Sequence, residues 1–230
     1  MNVFLQNSVF FGVLISVGTY EIGVWIKRKG KLALFNPLLI SIILTMTFLY
    51  IFHVDYETYA LGGKYLSYFL TPATVALAIP LYEQLEPLKK NAKAIFAGII
   101  SGTLTSALSV LAIAVLFQLS HEQYVTLLPK SITTAIGMGL SEELGGIVTI
   151  TVAVIVVTGI VGNMFAEPIC KLFHISDPVA KGIGIGSASH AMGTAKAMEM
   201  GELEGAMSSL SIAVSGLLTV LSSIVFAKIW

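Results

Sequence analysis

Six stretches of this chain contain no Asp, Glu, Lys or Arg: Met1–Tyr20, Leu32–Val54, Tyr65–Tyr82, Ala94–His121, Leu144–Ala166 and Gly205–Ala227, of 20, 23, 18, 28, 23 and 23 residues. A hydrocarbon core ~30 Å thick is crossed by about 20 helical residues rising ~1.5 Å each, so all six are predicted to span a bilayer. Composition agrees, since hydrophobic residues make up 56% and charged ones 11% of the 230, with mean hydropathy +0.88. Soluble domains carry about 25% charged residues, and with less than half of that the chain cannot cover a water-facing surface. Its solvent is the lipid bilayer. Thirteen basic residues balance thirteen acidic ones, which leaves no electrostatic basis for a nucleic-acid partner. The lone Cys170 cannot form an internal disulfide and reads as a small buried hydrophobe.

The first stretch is expected to stay as a helix rather than be cleaved, because no charged segment precedes it and Lys27, Arg28, Lys29 and Lys31 follow it. That basic loop, and Lys89, Lys90 and Lys93 two crossings later, place the N-terminus outside by the excess of positive residues on the cytoplasmic side. Beyond residue 120 the rule weakens, since Lys171 and Lys181 share a loop with Glu167 and Asp177.

Two further charge-free runs are too short to cross: Ser131–Ser141, of 11 residues, and Gly182–Ala195, of 14. Both are rich in glycine and hydroxyls, which form helices poorly. Irregular backbone at membrane depth survives only where it lines a protein-walled or wet cavity. Short or interrupted apolar segments of this kind mark the solute site of a transporter. Tyr65–Tyr82 joins them, since Pro72 and Pro80 would kink or break its helix. An internal repeat is also visible, as Thr74–Leu85 matches Thr133–Leu144 at five of twelve positions, Thr74/Thr133 among them, at a constant 59 residues. The fold class expected is therefore all-α, one polytopic membrane domain over residues 1–230 with about eight hydrophobic segments, some broken or re-entrant.

The stretches LPKSITTAIGMGLSEELGGI (Leu128–Ile147) and AKGIGIGSASHAMGTAKAMEMGELEGAMSSLS (Ala180–Ser211) resemble the two signature regions of the LrgB/CidB family. NPLLIS (Asn36–Ser41) and LTPATVALAIPLYEQ (Leu70–Gln84) extend the resemblance over essentially the whole chain. The resemblance implies a multi-pass protein of the bacterial cell membrane, working beside a small LrgA/CidA-like membrane partner. It implies two functions. One is antiholin-like or holin-like control of murein hydrolase export and autolysis. The other is transport of small monocarboxylates of the pyruvate and glycolate class, as in the related plastid translocator. A homo-oligomer is expected.

The residues themselves point to an anion site between the short segments. His190 could donate to a carboxylate or carry a proton; the same imidazole could simply bond a neighbouring helix across its small neighbours. Lys196, six residues on, would face ~240° away on an unbroken helix and would share a cavity with His190 only across a break near Gly193, or else pair with Glu199. Lys130 reads as a counter-charge for an anion or as a snorkelling lysine. A helix restarting at Ser131 would add its free N–H groups. The expected solute-binding set is thus Lys130, Ser131, Thr133, Thr134, Ser187, Ser189, His190, Gly193, Thr194, Lys196 and Thr74, with His190 and Glu142 as proton-coupling groups. Enzyme chemistry is not expected. Ser189 and His190 diverge by ~100° on a helix and cannot form a nucleophile–base pair, and the four histidines are scattered singly, so no metal or other cofactor is expected.

Overall fold

The structure, a computed structural model, describes residue 8 and residues 10–30, 35–76 and 78–230, the side chains at 70, 71, 74, 80, 81 and 87 excepted. Every regular element among the described residues is a helix. Two compact units form, Met1–Ala76 and Leu77–Trp230.

In the first unit, α1 (Phe11–Lys29) packs against α2 (Pro37–Ile51) and α3 (Tyr56–Ser67), and α4 (Leu70–Ala76) follows. Asn36 starts α2 by accepting from the Leu38 and Leu39 amides, with Pro37 in the first turn, where its missing N–H has no partner to lose. Thr19 Oγ1 bonds Ser41 Oγ at 3.0 Å and Thr45 Oγ1 at 2.9 Å, an interhelical hydroxyl cluster inside otherwise apolar helices.

The second unit runs α5 (Ala78–Glu83), α6 (Leu85–Phe117), α7 (His121–Leu127), α8 (Thr134–Glu143), α9 (Val148–Leu172), α10 (Pro178–Met200) and α11 (Glu202–Phe226). Three helices among the described residues are long and apolar enough to cross a membrane, at Leu88–Phe117, Val148–Leu172 and Glu202–Phe226. They correspond to the last three of the six predicted spans. The other predicted crossings are shorter or interrupted: Leu32–Val54 yields 15 helical residues, and the helix in Tyr65–Tyr82 breaks at Tyr68–Phe69. Much of the predicted Met1–Tyr20 span lies outside the described residues, and α1 runs instead through the basic cluster to Lys29. A count of about eight segments does not emerge, because apolarity alone sets no helix boundary where prolines and glycines divide the chain.

The two short runs lie in helical hairpins. α7 enters from the end of the unit where α6 and α11 finish: its Tyr124 hydroxyl donates to the Phe226 carbonyl at 3.0 Å. The chain turns at residues 128–133, and α8 returns along α9, with Ser141 Oγ 2.7 Å from Thr151 Oγ1. The second hairpin is α10. Ser189 (φ −138°, ψ 21°) and His190 (φ 42°, ψ −142°) leave the helical region, and the chain doubles back. A Cβ on Gly193 would lie 3.0 Å from Ile185 Cγ2, whereas a straight helix would separate residues eight apart by ~12 Å. Ile185 and Ala197 likewise share one core cluster with Ala166. α8 is 10 residues long, or ~15 Å, half a bilayer, as is each arm of α10 within a residue, and α7 is 7 residues. The expected repeat windows differ locally, as 134–143 is one helix while the other window has a turn at Gln84.

Candidate functional site

α6 carries glycine or hydroxyl residues at 98, 101, 102, 105, 106 and 109, spaced three and four apart and so on one face. Against that face lie the first arm of α10 and the tip of the first hairpin. Together they enclose an open groove of about 710 Å³. Close approach depends on missing side chains: a Cβ on Gly102 would meet Ser187 Cβ at 3.1 Å, and one on Gly98 would meet Ile183 Cγ2 at 3.1 Å.

At the deep end Lys130 Nζ donates to Ser131 Oγ at 3.0 Å, and Ser131 Oγ is 2.9 Å from Ser106 Oγ. Ser131 Oγ accepts from the ammonium, and either hydroxyl can donate in its bond with Ser106. Ser109 and Ser187 donate to the Ser106 and Ile183 carbonyls and present lone pairs to the groove. Among the described residues Lys130 has no carboxylate partner, so one partly buried positive charge dominates this end. Asn91 and Asp177 stand at the other end, where Asp177 caps α10 through the Ala180 amide. Near that end α6 packs on α7 and the end of α11 through a buried cluster of Ala107, Val110, Ala114, Tyr124, Val125, Leu128 and Phe226.

Of the residues expected at the site, the groove gathers Lys130, Ser131 and Ser187. The rest lie elsewhere. His190 is 3% exposed; its Nε2 is 3.0 Å from the Ile155 carbonyl and its ring rests over Gly159. The break falls at Ser189–His190, four residues before Gly193, and it does not bring His190 and Lys196 into one hollow. Ser189 donates to the Ile185 carbonyl, Gly193 packs on Ser189 and Ile185, and Thr194 bonds Ser208 Oγ at 2.7 Å. Thr133 caps α8 with no side-chain bond to its amides, and Thr134 begins that helix. Glu142 is exposed, and the side chain of Thr74 lies outside the described residues.

Lys196 belongs to a second hollow of about 650 Å³. There it pairs with Glu167 at 3.2 Å and Glu199 at 3.3 Å, while Lys181 reaches Glu204 at 3.7 Å. These charges satisfy each other and tie α10 to α9 and α11. Among the described residues no three His, Cys, Asp or Glu side chains converge as metal ligands.

Sequence reasoning overlooked Ser101, Thr105, Ser106, Ser109 and Asn91. Their signal was the small-and-hydroxyl periodicity inside Ala94–His121, hidden in a long apolar run.

The LrgB-like family profile matches residues 16–229. Antiholin-like protein LrgB of Bacillus cereus strain B4264 is 37% identical over 212 residues, covering 92% of each chain. The same protein name, identity and coverage hold for a relative from Bacillus anthracis strain A0248. No solved structure matches. With three membrane-length apolar helices and that match over nearly its whole length, the chain is a helical membrane protein that belongs to the LrgB family.

Proposed function

We propose that this chain is an antiholin-like protein of the bacterial cell membrane, crossing it several times and restraining murein hydrolase export and autolysis through a small LrgA/CidA-like membrane partner. The observation that carries this reading is the 37% identity, over 92% of each chain, to proteins named antiholin-like. Bilayer-length helices agree with a role inside the membrane. The test is co-expression with the partner in a bacterial host, reading release of a cytoplasmic enzyme. Expression of this chain should delay partner-dependent release. Equal release with and without it would sink the reading.

A second reading has its own support: a monocarboxylate of the pyruvate or glycolate class passes along the groove, drawn by the uncompensated Lys130 ammonium among hydroxyls. An anion at membrane depth is costly without such a counter-charge. Coupled protons are assigned to His190 at the hairpin tip and Glu142 on α8. Uptake of labelled pyruvate or glycolate into liposomes holding this chain alone tests it, and uptake indistinguishable from empty liposomes rejects it.

A further inference from the structure

Ser131 and Ser187 approach α6 one turn apart. Ser187 rests against Gly102, where a Cβ would meet Ser187 Cβ at 3.1 Å. Ser131 Oγ lies 2.9 Å from Ser106 Oγ, on the next turn of the same face. The hydroxyls around this contact mostly bond their own helices: Ser187 donates to the Ile183 carbonyl, and Ser101, Thr103 and Ser109 donate to the Gly98, Ile99 and Ser106 carbonyls. Ser106 differs, because its hydroxyl bonds across to the tip of the first hairpin.

That tip is the turn at residues 128–133. Its backbone bonds are local, Lys130 N–H to the Leu127 carbonyl at 3.1 Å and Ile132 N–H to the Pro129 carbonyl at 3.3 Å, so they shape the turn without placing it. Placement comes from Leu128, which shares an apolar cluster with Ala107 and Val110 of α6, and from the Ser106–Ser131 bond beside it. Ser131, only 5% exposed, accepts in turn from Lys130 Nζ at 3.0 Å. A lysine ammonium is a point charge on a flexible stem, and freedom that it must lose on meeting an anion weakens the hold. One of its three N–H donors is engaged by Ser131, and the other two are left for a carboxylate.

We infer that Ser106 is a positioning residue of the anion site: through Ser131 it holds the Lys130 ammonium where a carboxylate in the groove meets it, and it acts through that lysine rather than on the solute. The inference rests on the transport reading of the groove. It assigns to α6 a part in anion affinity that is exerted on a charge carried by another element.

The test is the concentration dependence of labelled glycolate uptake into liposomes holding the full chain. Ser106→Ala should raise the half-saturating concentration about three- to tenfold, the worth of one hydrogen bond, and leave the maximal rate nearly unchanged. Ser106→Thr, which keeps a hydroxyl at that position, should recover most of the loss. Ser131→Ala should reproduce the effect of Ser106→Ala, and the double variant should be no worse than either. In a Lys130→Met background Ser106→Ala should change half-saturation by less than about 1.5-fold, since coupled residues are not additive. Alanine is at least as good a helix former as serine, so α6 is retained, and unfolding midpoints in detergent are read alongside. An equal effect of Ser106→Ala with and without Lys130, a threonine variant as impaired as the alanine one, or a change in maximal rate alone overturns the inference while the transport reading stands. No uptake by the unaltered chain overturns the transport reading and this inference with it.

Discussion

Ser106 and Ser131 hold their hydroxyl oxygens 2.9 Å apart, one on a continuous 33-residue helix and the other at the tip of a hairpin that stops halfway through the unit. Lys130 donates into the same Ser131 oxygen. The contact holds the partly buried cation of the groove against the face of α6 that lines it.

That arrangement predicts a charge-specific effect. Lys130→Ala should lower uptake of labelled pyruvate about 10–100-fold, since a hydrogen bond to a charged group contributes ~1.5–3 kcal/mol and each ~1.36 kcal/mol is tenfold. Lys130→Arg should keep more of it, the charge being retained. Equal loss in both variants would show that shape, not charge, matters there.

Gly102 and Ser187 should couple. Gly102→Ala places a Cβ 2.6 Å from Ser187 Oγ, an overlap that should cost about 1–3 kcal/mol of stability in detergent. Adding Ser187→Gly should return at least half of the loss. Strictly additive effects in thermal or denaturant unfolding would mean that α10 does not press on α6 at this point.

At His190 the backbone has φ 42° and ψ −142°, a region strained for any residue with a side chain. His190→Gly relieves that strain and loses the bond to the Ile155 carbonyl, which α9 already engages, and the ring's packing over Gly159. His190→Val adds β-branching to positive φ. The valine variant should therefore be less stable than the glycine variant by about 1–3 kcal/mol, read from unfolding midpoints; the reverse order would place the chain reversal elsewhere.

Lys196 offers the contrasting case. Its pairs with Glu167 and Glu199 are partly open to solvent, with those carboxylates 41% and 55% exposed, so the network contributes little. Lys196→Ala should cost less than about 1 kcal/mol, shrinking with added salt. Uptake should fall by less than about fivefold on the same ground. A loss as large as that of Lys130→Ala would bring Lys196 into the solute path.

The long spans were legible because apolarity over 25 residues admits few other solutions, and the two short runs were legible as interruptions because glycine and hydroxyl residues cannot be left facing acyl chains. The place of the second reversal was not. Glycine's freedom drew attention to Gly193, but the residue with positive φ is His190, held by the Ile155 carbonyl and by the space over Gly159. Such partners lie 31 and 35 residues away, and no local pattern announces them. Lys130, Ser131 and Ser187, expected from the interrupted short runs, line the groove; the α6 hydroxyls went unread, because a stretch that qualifies as a crossing conceals the polar face within it.

Residues 178–200 begin and finish on the same face of the unit, and their partners at Glu204 and Ser208 belong to a helix synthesised after them. α11 therefore supplies the last wall of the second hairpin, after α6 and α9 have supplied the others. Assembly order is thus written into the chain: cut short near residue 201, it lacks the partners of Lys181 and Thr194.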